Sequence, residues 1–575
     1  MPPTSGPAGS TTATPTTTAT PTTMEGRPVE SLGPVEPVDP VEAVLGPDGV
    51  VARVVRDRPR EPAVPLCVSH TAHLVPGPGV VDPATGGAAL GDPDRSRRAA
   101  VGEAVERLCG NAAPGHPRAD EPLRSHDELT RAGRPALDPR ALVLYSREQY
   151  AARGFPFVPF ERNLPVAWTT GHDLCRNTEL LVPASLVWVN RPRDPRRPEP
   201  PVHHPPLAGT AADPDPDRAR AAALREVLER DAVTRWWIGG APAHRLFADA
   251  PPGDDPGAVA LRLALEQAAG AGLRVGLLRV PCPVGVVVAA AFIEDPVRRL
   301  VAFGSACRPT AVEAAAKAFT EAIGTHEASL ELLDPDSGFH RAVRAGRVDP
   351  RPFRPHRTDR RYALDFRPDL RDVNDVRLHL QLHLDPAVQD ARLDRLRRPL
   401  PATASPDGAE EPVGADLLAL LDLTGRHGLR VIAADLTTPR VRRHGWHVAR
   451  VIVPGLVGNA PAAFPFLGFL TDPEPAPAPL RPSPHPACRS SSRSSPSAAR
   501  SAPSPGTPSP WPGRLPRGRS PRPCSRSTSS AARSSACWCR RSPTGPRTRC
   551  CVRSSAPACS AGSPPSPCTP WTSSD

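Results

Sequence analysis

Leu224-Arg225-Glu226-Val227-Leu228-Glu229-Arg230-Asp231-Ala232 is the stretch that decides how this chain is read. A weaker counterpart comes earlier, Gly102-Glu103-Ala104-Val105-Glu106-Arg107-Leu108-Cys109. Both hold Glu-x-x-Glu-Arg inside a segment with helical character. Residues three apart share a helix face, so each copy sets two carboxylates side by side with an arginine next in sequence. A third helical stretch, Thr310 to Glu327, carries Glu313, Lys317 and Glu321 at four-residue spacing, and Lys317 is the only lysine of the chain. Three helices with acidic faces point to carboxylates gathered round a cation and its polyphosphate. One Glu-x-x-Glu-Arg on a solvated helix is unremarkable, because Glu and Arg are good helix formers and make weak surface pairs. The second copy differs in running straight into Asp231-Ala232-Val233-Thr234-Arg235-Trp236-Trp237. Large aromatics argue for burial, and charges on a largely buried helix need partners.

The chain of 575 residues is long enough for two or three domains, but its 80 prolines and 43 glycines warn against assigning all of it to a core. A net charge of +11 resembles a nucleic-acid signal. Its distribution removes that reading for the body, since no acidic residue occurs between Glu474 and Asp575 while arginines continue. The body cysteines, Cys67, Cys109, Cys175, Cys282 and Cys307, form no CxxC pair. With no apolar signal region and no run long enough to span a bilayer, a cytoplasmic protein without membrane or nucleic-acid partners is expected.

Residues 1–60 are Thr/Pro-rich and then Pro/Val/Glu-rich, and read as a disordered leader. A folded body is expected over residues 61–470, with Asp94 and Ser96 as caps of the first acidic helix. Strands are expected at Ala141 to Tyr145, Val166 to Thr170 and Leu180 to Val189. His203-His204 sits in a loop with no further ligand pattern, so these imidazoles are expected in solvent. The second acidic helix should run from about Asp217 to Trp237. Helix Ala258 to Ala271 is followed by strands at Arg274 to Val280, Val284 to Ile293 and Leu300 to Phe303, then by the third acidic helix. Helix Ala415 to His427 precedes strands Arg430 to Asp435 and Val448 to Val453. The interleaving predicts an α+β fold of mixed α/β layers with mixed sheets. From Leu470 aliphatic residues all but vanish, and the Ser/Pro/Arg/Cys-rich stretch 471–575 reads as disordered, with a shifted reading frame as its expected origin.

The usual nucleotide signatures are missing: there is no G-x-x-x-x-G-K-[ST], no kinase motif set and no G-x-S-x-G elbow. The acidic helices offer another route to ATP. Mg²⁺ takes carboxylate and phosphate oxygens together, and arginines such as Arg107 and Arg230 neutralise phosphate in a bidentate way.

At these residues the chain resembles the YcaO superfamily. Ser96 to Asn111 is similar to its first acidic motif, and Arg225 to Trp237 to its second. Gly304-Ser305-Ala306 with Glu313-Ala314 and Thr320-Glu321-Ala322 is similar to its third, and Arg450 to Leu456 to its C-terminal strand. The resemblance implies an enzyme that uses ATP and Mg²⁺ to phosphorylate a backbone amide oxygen of a ribosomally made peptide. Attack by a neighbouring Cys, Ser or Thr then closes an azoline; thioamide or amidine formation, or a scaffold without turnover, are the alternatives. By matched position it assigns Mg²⁺ to Glu103, Glu106, Glu226, Glu229 and Glu321, and the wider nucleotide site to these with Arg107, Arg230 and Lys317. It further implies a precursor peptide and a separate leader-peptide-binding protein as partners, and a homodimer is an additional expectation for the chain. Where the family has an acidic residue before the second helix, Asp217 is the expected stand-in, and Lys317 and Gly324 stand where the family often has Arg and Gln. The family's proline-rich C-terminus is echoed only by Pro473-Glu474-Pro475-Ala476-Pro477, so an altered C-terminus would impair turnover.

Overall fold

The computed structural model describes residues 39–470, apart from 78–79, 82, 112–122, 191–197 and 403–411. The expected leader before residue 39 and the stretch 471–575 lie outside the described residues. The fold begins earlier than the expected boundary at residue 60. A helical turn at Pro40–Ala43 leads into strand β1 (Val51–Arg56), which pairs antiparallel with β2 (Cys67–Leu74), and β2 pairs antiparallel with β3 (Ala84–Leu90). The reason is apolar burial: Val41, Val44, Val50 and Val51 are all within the core. Trp446 donates its ring N–H to Pro40 O at 2.8 Å, tying the segment down.

Helix α1 (Pro93–Asn111) lies across this sheet and carries the first acidic motif. Its start is held by Asp92, whose carboxylate accepts from the Arg95 N–H at 2.8 Å, so neither Asp94 nor Ser96 acts as the cap. Ser96 is instead buried, its hydroxyl donating to Gly87 O at 2.9 Å. A Cβ on Gly87 would sit 2.1 Å from the Ala100 nitrogen, so only glycine lets helix and strand approach this closely.

Strands β4 (Trp168–Asp173) and β5 (Thr178–Pro183) follow, with β6 (Thr210–Asp213) entering the second acidic helix. The segment at Ala141 to Tyr145 is a 3₁₀ turn and extended chain rather than a strand. The run Leu180 to Val189 leaves the strand at Pro183 and turns through Ala184–Leu186. Helix α2 (Pro216–Gly239) has a well-defined start: the Asp215 carboxylate accepts from the N–H of Asp217 and Arg218, and Pro216 occupies the first turn. It ends at Gly240, whose left-handed φ of 79° closes the last turn.

The short β7 (His244–Arg245) precedes helix α3 (Pro256–Gly270) and three strands, β8 (Arg274–Arg279), β9 (Val287–Asp295) and β10 (Leu300–Arg308). All nine residues of β9 are buried. The cause is that both faces are covered. Val287, Ala289, Ala291 and Ile293 pack with α3 and with helix α4 (Ala311–Leu333), whereas Val288, Ala290 and Phe292 pack with α2. Three shorter helices between residues 338 and 397 build a small core of their own round Tyr362, Phe366 and Leu378. Helix α5 (Leu417–Arg426) leads to β11 (Ile432–Asp435) and β12 (His447–Ile452).

The three sheets are ordered β1-β2-β3, β10-β9-β8-β7 and β5-β4-β11-β12-β6. The α+β class is as expected, but every pairing between these strands is antiparallel, so the expectation of mixed sheets does not hold. Successive strands pair directly in β1-β2-β3 and β8-β9-β10, whereas β7 reaches β8 through α3, and the five-stranded sheet closes only after the whole four-stranded sheet has intervened between β6 and β11.

Candidate functional site

The three acidic helices converge. Glu103, Glu106 and Arg107 of α1, Glu226, Glu229 and Arg230 of α2, and Lys317 and Glu321 of α4 all line one cavity of about 1010 Å³. Local packing dictates this. A Cβ on Gly304 of β10 would lie 2.3 Å from Ala318 O and 2.5 Å from Ala322 N, so the bare strand lets α4 lie directly on the sheet. That contact sets the height at which Lys317 and Glu321 meet α2.

Glu229 is 5% exposed and held on both oxygens. The Ser305 hydroxyl donates to Oε1 at 2.7 Å, and the Cys307 N–H to Oε2 at 3.1 Å. Glu226 accepts the Gly209 N–H at 2.8 Å. Arg107 pairs with Glu103, Nε donating to Oε1 at 2.8 Å, and Lys317 Nζ lies 3.2 Å from Glu321 Oε1. Arg230 stands between two carboxylates, Nη2 being 3.5 Å from Glu229 Oε1 and Nε 3.9 Å from Glu226 Oε1. Its Nε is buried and makes no hydrogen bond.

Burial, with repulsion from Glu103 and Glu226, raises the Glu106 carboxyl well above the ordinary range. Burial also raises Glu226, and takes Glu229 up to about 7. Burial opposes the charge of Arg230, yet Glu229, Glu226 and Glu321 together hold its pKa above the usual arginine value. Burial thus makes the charged forms of Glu106, Glu226 and Glu229 costly in the cavity, a cost that a bound cation would offset. A hard divalent cation fits such an all-oxygen donor set, and the unbonded Nε of Arg230 fits a phosphate oxygen.

Among the described residues no group of three His, Cys, Asp or Glu side chains stands close enough to form a metal centre. The expected cage of Glu103, Glu106, Glu226, Glu229 and Glu321 is therefore not drawn together. The glutamates share one cavity, and Arg107, Arg230 and Lys317 are their partners within it. Three other expectations are corrected. Glu313 is exposed in the first turn of α4 and lies outside the cavity; it shares its side of the helix with Glu331, which does line the cavity, so its place along the helix axis and not its face excludes it. The charged face continues instead through Glu327 and Glu331. Asp217 is exposed and paired with Arg220 at 2.8 Å, while Asp213, at the end of β6, is the acidic residue in the cavity wall. His203 is 3% exposed rather than solvated; its Nε2 lies 3.0 Å from the Ser185 hydroxyl.

Sequence reasoning missed Arg450. It is 1% exposed on β12, with Nε donating to Leu186 O at 3.0 Å, Nη1 to Thr210 Oγ1 at 2.7 Å and Nη2 to Pro206 O at 2.6 Å. Burial lowers it to about 10, and Glu226 and Glu106 work against that. The signal was present: one arginine inside the apolar run His447 to Val453 needs buried partners.

A family model described as "YcaO cyclodehydratase, ATP-ad Mg2+-binding" matches residues 89–457. The chain belongs to the YcaO family. ATP and Mg²⁺ are the cofactors of that family. No curated protein matches the chain. Among solved structures, a heterocyclase in complex with substrate and cofactor is 19% identical, with 73% of this chain and 52% of that chain covered and a TM-score of 0.48. The YcaO protein of Methanopyrus kandleri bound with AMPPCP and Mg²⁺ is 19% identical, with 72% and 90% covered and a TM-score of 0.42. The E. coli microcin synthetase McbBCD complex with pro-MccB17 bound is 12% identical, with 70% and 88% covered and a TM-score of 0.42. This YcaO chain spans about half the length of the heterocyclase chains it matches. Among its described residues no helix is long and apolar enough to cross a membrane.

Proposed function

We propose that this YcaO protein carries out ATP- and Mg²⁺-dependent cyclodehydration of Cys, Ser or Thr residues in a ribosomally made peptide, giving azolines. The observation that supports it is the meeting of eight charged side chains from three distant helices in one cavity, where burial raises the carboxyls of Glu106, Glu226 and Glu229 despite the arginines beside them. Glu103, Glu106, Glu226, Glu229 and Glu321, which line one cavity without forming a closed cluster, would hold Mg²⁺ only together with phosphate oxygens that the nucleotide brings, and Arg107, Arg230 and Lys317 would receive the phosphates. When bound, Mg-ATP supplies the phosphoryl group that makes the amide oxygen a leaving group. The protein's part is positioning and charge neutralisation, which is most of what phosphoryl transfer requires. Ser305 and the Cys307 N–H orient Glu229, and the Gly209 N–H orients Glu226. Arg450, fixed by its three acceptors, moderates the repulsion between Glu106 and Glu226 from behind. We further propose that the reaction takes place in the cytoplasm, on a peptide delivered by a separate leader-binding protein.

The test is twofold. Titration with Mg-AMPPCP should give binding to the wild type and none to Glu226→Gln or Glu229→Gln. Incubation with Mg-ATP and the genomically adjacent precursor peptide should remove one water per ring by mass spectrometry. Unchanged nucleotide affinity in both variants overturns the site. Exchange of oxygen for sulfur in the product replaces azoline by thioamide formation.

A further inference from the structure

We propose that the outer edge of β3 is the docking strand for the substrate peptide, which adds to the β1-β2-β3 sheet as an extended segment alongside the carboxylate cavity. This rests on the function proposed above and goes beyond it, since it names where and in what conformation the peptide lies.

The sheet order leaves β3 with one neighbour only. Its hydrogen-bonding phase follows from two flanking contacts. The Leu74 N–H donates to Pro83 O at 2.8 Å, and the Gly91 N–H to Leu66 O at 2.8 Å. With the observed register, Ala72 and Thr85, His70 and Gly87, and Val68 and Ala89 are the hydrogen-bonded pairs. In an antiparallel ladder the alternate residues turn both backbone groups the other way. The N–H and C=O of Ala84, Gly86 and Ala88 therefore point outward from β2. No hydrogen bond to them is found among the described residues beyond the ladder itself. Natural sheets seldom leave such an edge open without covering, charging or using it.

The edge faces the cavity and not bulk solvent alone. Ser69 and Thr71, opposite Ala88 and Gly86 in the register, line the cavity on one side of β3. Arg98 and Gly102 of α1, which packs on the other side, line it too. A cavity that reaches residues on both sides of an edge strand must wrap round that edge. A Cβ on Gly86, which would stand off the sheet face, would meet nothing within 4 Å, so the strand is open at its middle, whereas Ala84, 1% exposed, is covered at its start. Small residues at Ala84, Gly86 and Ala88 let a second backbone approach to the ~4.8 Å spacing of paired strands.

Strand addition also solves a presentation problem. Backbone pairing is indifferent to side chains, which suits a substrate modified at several positions. In an added strand, alternate residues pair with β3, and those between turn their carbonyl oxygens away from it. Those are the amides left free for activation.

The probe is a synthetic fluorescein-labelled peptide of Gly, Ser and Cys, added to the full-length protein with Mg-AMPPCP, and its fully N-methylated counterpart. Gly86→Pro and Ala88→Pro each remove one outward N–H, a place where an edge strand accepts proline. The expected result is about ten-fold weaker peptide binding for each, consistent with a lost hydrogen bond and a displaced partner strand, with Mg-AMPPCP affinity unchanged and no binding of the N-methylated peptide. Wild-type hydrogen exchange gives a reading that needs no variant: the peptide should slow exchange across Ala84 to Leu90. Wild-type peptide affinity in both proline variants, or unaltered exchange in β3, overturns the docking strand while leaving the nucleotide site standing. Loss of a dimer in the proline variants, without a change in peptide affinity, assigns the edge to a second copy and also overturns it. Protection of β3 by peptide in a protein that takes no Mg-AMPPCP would uphold the docking strand and refute the proposed function.

Discussion

Gly209 is a single position where fold and site can be perturbed together. It lies before β6 with φ near +92°, and its N–H holds Glu226. A Cβ there would sit 2.6 Å from Val451 O and 2.8 Å from Val227 Cγ2. The first of these neighbours is backbone on β12 and cannot rotate away. Gly209→Ala therefore combines a backbone conformation that costs an L-residue ~1–2 kcal/mol with a steric conflict costing ~1–3 kcal/mol, as overpacking does. The sum, ~2–5 kcal/mol, corresponds to a shift of roughly thirty-fold or more in the folding equilibrium. Relief requires β6 to move off β12, which draws the N–H away from Glu226. Denaturant unfolding of the wild type and Gly209→Ala measures the first effect, and Mg-AMPPCP titration of the folded fraction the second. We expect both stability and nucleotide affinity to fall. Stability within about 0.5 kcal/mol of the wild type, the range of an ordinary surface change, would refute the reasoning.

Arg450→Met should lower stability by ~3–5 kcal/mol, the cost of breaking a buried charge network from one side, and denaturant unfolding reads it directly. Deleting the chain through Arg60 removes β1 and strips partners from the core round Val101 and Trp446, so the truncated protein should lose its cooperative melt, as followed by near-ultraviolet circular dichroism. Glu229 gives a pH signature. Its carboxyl lies at about 7 in the fold against an ordinary 4.5, so the folded chain binds the extra proton, and stability falls as pH rises between those values. Cation binding requires the deprotonated form, so Mg-AMPPCP affinity should rise with pH up to about 7. Glu229→Gln should reduce that stability slope, Glu106 and Glu226 supplying the rest, and calorimetry in buffers of different ionisation enthalpy should register proton release when Mg-AMPPCP binds the wild type.

The long helices were legible by period, and α2 and α4 by capping as well, whereas the true cap of α1, Asp92, was not the one expected. Asp215 with Pro216, and Thr310 ahead of α4, are ordinary start signals. The acidic faces followed from spacing. Strands β2 and β3 were not legible. Ala-Thr-Gly-Gly-Ala-Ala has no apolar alternation, because β3 packs by closeness, Gly87 touching the backbone of α1, rather than by large side chains. The early boundary failed for a related reason: Val41, Val44, Val50 and Val51 are scattered among Pro and Asp, and only tertiary burial gathers them. Arg450 and Gly209 belong to the site through contacts hundreds and tens of residues away, and no local pattern encodes such distances.

Lys317 has a practical consequence. As the chain's only lysine, set in the cavity wall with its side chain 31% exposed, it is the one ε-amine an acylating reagent can find. Beyond the terminal amine, chemical labelling at mildly alkaline pH reports on a single address. Because acylation removes the very charge proposed to meet the phosphates, protection of Lys317 from the reagent by Mg-AMPPCP would report site occupancy with no engineered handle.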